Sequence, residues 1–187
     1  MRKVFSEPVD ATYEAALSIE ELREWTRTTE DEISDATLLN QGLAALLYVE
    51  AKSRVVPQYR LYTLSLSSFC NFEIDRYPFV GIESVEYYDQ DNALQTLGSG
   101  NYTVISYSKV DKVLKYTSTT LPTLYGREDA VKITFRAGYS PETLPANMAE
   151  AVRHLVMHWY NNPDSPKHEA PALVDDIIRT FALDVFA

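Results

Sequence analysis

The hydrophobic periodicity of this chain switches twice, and this switch constrains the fold more than any other feature of the sequence. Residues 57–139 contain 10 of the 13 tyrosines and are rich in Val, Ile and Thr, which favour β-strands. The segments on either side carry apolar residues at helical spacing instead. We therefore predict an α+β fold, a helical bundle core with an antiparallel β-sheet or small barrel inserted between the second and third main helices. The helical core domain is predicted to comprise residues 1–56 and 140–187, and the inserted antiparallel β domain residues 57–139.

The first helix has a clear start signal. Ser18 and Glu21 form a capping box, in which each side chain can bond the backbone N–H of the other residue. Leu17 and Leu22 flank this box as a hydrophobic staple. The pattern predicts a short helix that ends at about Arg27.

A second helix is predicted immediately afterwards. Thr29 and Glu32 repeat the capping-box pattern, so we expect this helix to begin near Thr29. Apolar residues recur at helical spacing up to about Arg54, and Pro57 prevents continuation.

The remaining elements follow the same reasoning. Period-two alternation and turn residues predict short strands at 59–66, 71–74, 80–89, 102–107, 113–116 and 131–137. A third main helix is predicted to start after Pro145 and to end near Asn161, and a last helix to start after Pro171. From the apolar stripes of these helices we predict one shared core that contains Trp25, Leu43, Leu47, Leu155 and Trp159.

Charge and composition exclude several classes of protein. The formal net charge is −10, and its distribution is −5 over residues 1–56, −1 over 57–139 and −4 over 140–187. Nucleic-acid binders usually present a basic face, so sequence-specific DNA binding is not expected. One cysteine, Cys70, cannot form an intramolecular disulfide. No apolar run approaches the roughly 18 residues of a membrane span, and the first residues do not resemble a secretory signal. We expect a protein without membrane contact, synthesised in the cytoplasm of its host.

Candidate catalytic and metal-binding residues are few. His154 and His158 have a spacing that can bind one metal ion, but the glutamate of a zinc-protease motif is missing, and His168 lies ten residues further on. Cys70 has no local histidine partner. Gly98-Ser99-Gly100 is typical of a hairpin turn rather than of a phosphate-binding loop. We predict that the chain is not an enzyme and that it binds no metal or cofactor.

Several strings of residues, in their order and spacing, resemble the head–tail connector (adaptor) family of tailed bacteriophages. They are the opening helix Leu17–Leu22, the long helix Glu30–Ala51, the strand Tyr59–Leu64, the strand entry Tyr77–Val85, and Val131–Tyr139 followed by Leu144-Pro145 and a helix ending His158–Asn161. The resemblance covers roughly residues 17–162. It implies a ring, commonly a dodecamer, in the virion neck between the portal and the tail, where the ring extends the DNA channel. The implied partners are other copies of the chain, the portal protein, the next neck or tail protein, and double-stranded DNA in transient, non-specific passage.

Two groups of residues become candidate sites under this resemblance. We expect acidic residues to line the channel, because like charge keeps DNA from adhering; the candidates are Glu30, Asp31, Glu32 and Asp35. Helix-dipole preference is the simpler explanation of the same acidic cluster. Portal docking is assigned to the apolar residues of the last helix and the chain end: Leu173, Ile177, Ile178, Phe181, Val185 and Phe186. Packing of these residues onto the chain's own helices is the alternative.

Other functions remain open from the sequence. The chain could be another neck component, such as a stopper or tail-completion protein. A carbohydrate-binding or adhesion module built on the tyrosine-rich sheet is a further alternative, because aromatic rings can stack on sugars or bases. A hydrolase fits the sequence least, since no set of catalytic residues is apparent.

Overall fold

The computed structural model describes residues 4–6, 17–140, 142–163 and 169–186, with only the backbone described for 4–6 and 183–186. The chain forms two compact units. One, the β unit, consists of Met1–Tyr13 and Tyr59–Gly138, and the other, the helical unit, consists of Glu14–Gln58 and Tyr139–Ala187. All strand pairs in the described parts are antiparallel, so the predicted α+β class is confirmed.

The β unit contains two antiparallel sheets. Its strands are β1 (Val4–Ser6), β2 (Arg60–Leu66), β3 (Phe72–Ile74), β4 (Phe79–Tyr88), β5 (Leu94–Thr96), β6 (Tyr102–Ser106), β7 (Lys112–Tyr116) and β8 (Val131–Ala137). The strand orders are β1-β2-β8-β4-β5 in the larger sheet and β3-β7-β6 in the smaller one. Each sheet ends in two different edge strands, so the insertion consists of open sheets and not of a closed barrel.

Two strands were not among those predicted. β1 pairs with β2, with Val4 opposite Ser65, although residues 1–56 were assigned to the helical region. β5 pairs with the end of β4, with Leu94 opposite Tyr88. Both strands are only three residues long, too short to show alternation, and their pairing partners define them.

Period-two alternation builds the core of the β unit. In β8 the alternate residues Val131, Ile133, Phe135 and Ala137 are all fully buried. The ring of Phe135 stacks on that of Tyr62 in the neighbouring strand β2, with centroids 5.6 Å apart. Phe135 also lies 6.2 Å from Phe72 in β3, so this one ring joins the cores of both sheets.

The last residue of the β unit has an unusual backbone. Gly138, which follows β8, has a φ of 111°, a region that residues with a side chain rarely adopt. Its N–H donates to the carbonyl of Pro78 at 2.9 Å.

The helical unit contains α1 (Ile19–Thr26), α2 (Asp35–Ser53), α3 (Ala146–Asn161) and α4 (Ala172–Phe186). The predicted capping box of α1 is confirmed. The Ser18 N–H donates to Glu21 Oε2 at 2.9 Å, and the Glu21 N–H donates to Ser18 Oγ at 3.1 Å.

The second helix starts later than predicted. Its N-cap is Ser34, whose hydroxyl accepts from the Thr37 N–H, and the helix begins at Asp35. The Thr29 N–H does donate to Glu32 Oε2, at 2.8 Å, but this pair closes an isolated turn. Two capping signals five residues apart compete here, and the later one begins the helix.

The core of the helical unit differs from the prediction in its use of α2. This helix buries Leu38, Gly42, Ala45, Leu46, Val49 and Ser53. Leu155 and Trp159 are buried, Trp25 and Leu43 are half-buried, and Leu47 is 46% exposed. The prediction for Leu47 was therefore wrong. Because α2 is apolar on most of its circumference, periodicity alone does not identify the side that packs inward.

Close packing at Gly42 explains which side of α2 faces inward. A Cβ atom at Gly42 would lie 3.2 Å from a methyl group of the fully buried Leu22 in α1. Such a contact is tighter than ordinary van der Waals packing, so a side chain at this position would require Leu22 to shift by a few tenths of an ångström. The pairing of Gly42 with Leu22 therefore orients α2.

A small polar network joins three helices of this unit. Tyr48 of α2 packs edge-on against Trp159 of α3, with ring centroids 6.1 Å apart. The Tyr48 hydroxyl donates to Asp175 Oδ1 of α4 at 3.1 Å. Burial, followed by the contact with Asp175, raises the pKa of Tyr48. The Trp159 ring N–H donates to the carbonyl of Glu169 at 3.3 Å.

Candidate interaction surfaces

The four acidic residues proposed for the channel are all exposed. Glu32 is bonded to Thr29, and the backbone N–H of that residue lowers the pKa of the Glu32 carboxyl. Asp35 accepts from Arg23 Nε at 3.1 Å. Glu30 and Asp31 lie between Thr29 and Glu32, in the turn that precedes α2. The turn thus presents negative charge to solvent, and such a surface repels phosphate groups.

The docking residues proposed in α4 divide into two groups. Ile178 and Phe181 are 5% and 7% exposed, so they belong to the core of their own unit, as the alternative interpretation holds. The docking prediction for these two residues is therefore wrong, because their side chains already pack within the chain. Leu173 is 54% exposed and Ile177 is half-buried. Val185 and Phe186 lie outside the residues whose side chains are described.

The side of α2 opposite its buried residues is also apolar. Leu39 is 40% exposed and Leu47 is 46% exposed, with the half-buried Leu43 between them. These residues follow the i, i+4, i+8 spacing, so their side chains share one side of the helix. The helical unit therefore presents a row of leucines to solvent.

The surface of the β unit pairs basic groups with tyrosine rings. The Arg127 guanidinium lies 3.7 Å from the centre of the Tyr88 ring and also donates to Asp129 Oδ2 at 2.8 Å. This contact lowers the pKa of Asp129 and raises that of Arg127. Similar cation–π contacts join Arg76 to Tyr62, Lys115 to Tyr107, Lys132 to Tyr88 and Arg136 to Tyr59. These cations are held by neighbouring rings rather than presented as a basic patch.

The histidine and cysteine candidates are not brought together. His154 Nε2 lies 3.2 Å from a carboxylate oxygen of Glu150, one turn back on α3. His158 lies beside Asn162, and His168 lies outside the described residues. Cys70 is half-buried in the β unit. Within the described ranges, no three His, Cys, Asp or Glu residues are grouped to hold a metal ion.

The helices were compared with the requirements of a membrane span. None of those in the described part of the chain combines the length and the apolar character needed to cross a bilayer.

Comparison with known proteins gives a result at the level of the fold. The sequence matches no protein-family model and no curated protein sequence. A chain from the neck of an empty gene transfer agent particle, computed with C6 symmetry, has a TM-score of 0.74 and 20% identity over 95% of this chain and 94% of its own. A chain from the virion of the native particle has a TM-score of 0.74 and 21% identity over the same shares. A third, from the neck of the native particle computed with C12 symmetry, has a TM-score of 0.73 and 20% identity, again over 95% and 94%. This chain therefore has the fold of these particle components over nearly its whole length.

Sequence reasoning missed the row of leucines on α2, because Leu43 and Leu47 were assigned to the core. A signal was available in the sequence. Residues 36–49 contain no Asp, Glu, Lys or Arg, so neither side of this helix has the charged residues typical of a solvent-facing surface.

Proposed function

We propose that this chain is a structural component of a phage-like virion, namely a head-to-tail adaptor that forms a ring beneath the portal. The observation that carries the proposal is the fold shared, over 95% of this chain, with chains from gene transfer agent necks. One of these necks was computed with C12 symmetry and another with C6 symmetry. The proposed ring is dodecameric, and it extends the DNA channel from the portal toward the next neck or tail protein.

The chemistry of the surfaces supports a structural role. The cations of the tyrosine-rich sheet are largely engaged with rings of the same unit. A chain with a net charge of −10 suits a conduit through which DNA must slide without adhering. We assign the lumen to the acidic turn that contains Glu30, Asp31, Glu32 and Asp35.

The main test is assembly on heads. Purified chain is mixed with tailless heads that retain the portal, and the product is imaged by electron microscopy. We expect ring-shaped density directly below the portal, with twelve-fold symmetry. If the heads already hold an adaptor below the portal and the new density lies at the end of the neck away from the portal, the result would instead support a stopper or tail-completion role. Failure to bind heads, together with binding to glycans, would overturn the proposal in favour of an adhesion module.

Portal docking is assigned to the exposed start of α4, where Leu173 is 54% exposed. Replacing Leu173 by Gln keeps a helix-compatible side chain but removes the apolar contact. We expect this variant to remain folded and to bind portal-bearing heads more weakly. A second variant that ends at Ala182 tests Val185 and Phe186 separately. Normal binding by both variants would place docking elsewhere, most plausibly on the loops of the β unit.

The lumen assignment has its own test. Replacing Glu30, Asp31 and Glu32 by Lys should make DNA adhere to the channel and slow its release from assembled particles. Because the control must change charge to a similar degree, Glu73 and Asp91, exposed residues of the β unit, are replaced by Lys in a second variant. Equal release rates in both variants would remove the acidic turn from the channel wall.

A further inference from the structure

The solvent-facing side of α2 carries an apolar surface without charge. We define the α2 face as Ala36, Leu39, Leu43, Ala44 and Leu47, which surround one exposed polar residue, Asn40. Its two outer leucines are 40% and 46% exposed and lie eight residues apart, about two helical turns. Residues 36–49 of the helix contain no Asp, Glu, Lys, Arg or His.

A helix that packs only against its own subunit carries polar residues on its solvent-facing side. α4 meets this expectation, because its exposed Leu173 is followed by exposed Asp175, Asp176 and Arg179. α2 does not. Its inner side packs through Leu38, Leu46 and Val49, yet its outer side is apolar as well. A helix that is apolar on both sides is typical of the interior of a larger assembly.

We propose that the α2 face binds a neighbouring copy of this same chain. The inference rests on the proposed ring function and names the surface through which the ring closes. In a ring, one patch meets a different patch of the next copy, so the α2 face is one half of a head-to-tail contact.

The negative charge of the chain limits where a second copy can approach. Each copy has a net charge of −10, so two copies repel each other over most of their surfaces. An uncharged apolar face is where they can approach with the least repulsion and the largest gain from burial. The shared fold with chains from necks that were computed with C6 and C12 symmetry agrees with contacts between repeated copies.

The test compares two sets of leucine-to-glutamine changes. The double variant Leu39→Gln/Leu47→Gln alters the α2 face without changing the net charge. The matched control Leu94→Gln alters a leucine of the β unit that is 48% exposed and lies outside this face. Self-association of the full chain is measured by sedimentation velocity over a range of concentrations, and circular dichroism confirms that each variant remains helical.

We expect the wild-type chain and the control to assemble alike. The double variant should need a concentration roughly 30-fold higher or more for the same degree of assembly, which corresponds to about 2 kcal/mol at about 1.4 kcal/mol for each factor of ten. Loss of a dimer rather than a ring in the double variant would also support the α2 face as a contact between copies, while counting against the proposed ring.

Several results would overturn the inference. The first is unchanged assembly of the double variant, or a wild-type chain that stays monomeric both in solution and on heads. Another is a double variant that self-associates normally but no longer binds portal-bearing heads. That result would make the α2 face a portal site and would leave the proposed adaptor function intact. Rings on heads that contain the double variant at full copy number would likewise exclude the α2 face as the ring contact.

Discussion

The β unit and the helical unit differ in the contacts of their charged residues and in their net charge. In the β unit at least five of the eight basic residues of segment 57–139 lie against aromatic rings, and that segment has a net charge of only −1. The flanking segments have net charges of −5 and −4. They also contain the acidic turn before α2, the exposed Leu173 and the uncharged α2 face.

This difference indicates where contacts with other molecules are to be sought. A unit whose cations and rings satisfy one another gains little from a partner, because binding would first have to break those contacts. Exposed leucines that lack such contacts leave free energy to be gained on assembly. We therefore expect the helical unit to dominate contacts between copies and with the portal.

Truncation of the helical core should produce the largest change in stability. Trp159 is 5% exposed and contacts Tyr48, so Trp159→Ala should lower the free energy of unfolding by about 3–5 kcal/mol. The measurement is denaturant unfolding followed by circular dichroism, with Asn161→Ala, an exposed change on the same helix, as the control. An unchanged free energy of unfolding would mean that Trp159 is not a core residue.

Overpacking at the contact of α1 with α2 should have a smaller effect. Gly42→Val places methyl groups where a single Cβ would already lie 3.2 Å from Leu22, so we expect a loss of about 1–3 kcal/mol. Ala44→Val introduces the same side chain two residues further along α2 at an exposed position and should change stability by less than about 1 kcal/mol. Thermal melts of both variants check this expectation. Because Val is a better helix former than Gly, a Gly42→Val variant as stable as the wild-type chain would show that packing against Leu22 does not decide the effect.

Two tyrosine-to-phenylalanine changes contrast the units directly. Tyr48→Phe removes the hydrogen bond to Asp175 in the helical unit and should lower stability by about 1 kcal/mol. In the β unit the hydroxyl of Tyr116 is buried and has no hydrogen-bond partner among the described residues. Tyr116→Phe should therefore leave stability unchanged or raise it slightly, since it removes a buried polar atom that gains no bond. A marked loss from Tyr116→Phe would reveal a partner for that hydroxyl.

Alkaline pH should produce a smaller change in stability, which depends on the ionisation of the same two tyrosines. Burial raises the pKa of Tyr116, and burial with the Asp175 contact raises that of Tyr48. A raised folded-state pKa leaves stability intact below the unfolded value of about 10 and lowers it as the pH rises through the folded value. Between pH 8 and pH 11 each Phe variant should thus lose less stability than the wild-type chain. Urea titrations at the two pH values measure the difference, and identical losses in all three chains would contradict it.

Much of the fold was predictable because its signals are local. The Ser18 capping box, the alternation in β2 and β8, and the helix starts after Pro145 and Pro171 depend on neighbouring residues in the chain. β1 depends on a partner strand far along the sequence, and three residues carry no periodic signal.

The candidate surfaces were harder to predict for a related reason. Leu47 was assigned to the core because it lies on an apolar stripe, but α2 has two such stripes. The close approach of Leu22 to Gly42 selects the one that is buried, and this contact joins two different helices. Ile178 and Phe181 were predicted to dock on the portal because the residues they pack against lie on other parts of the chain and are not evident from the local sequence.

The backbone at Gly138 has a consequence for how this sequence can change over evolutionary time. With its φ of 111°, any other residue there would strain the backbone where β8 ends, so mutations at this codon should be removed by selection. Gly81, Gly100 and Gly126 have open space around the position of a Cβ atom, so they are free to drift. Among distant relatives of this chain, the glycine after β8 should thus persist long after the other three have been replaced.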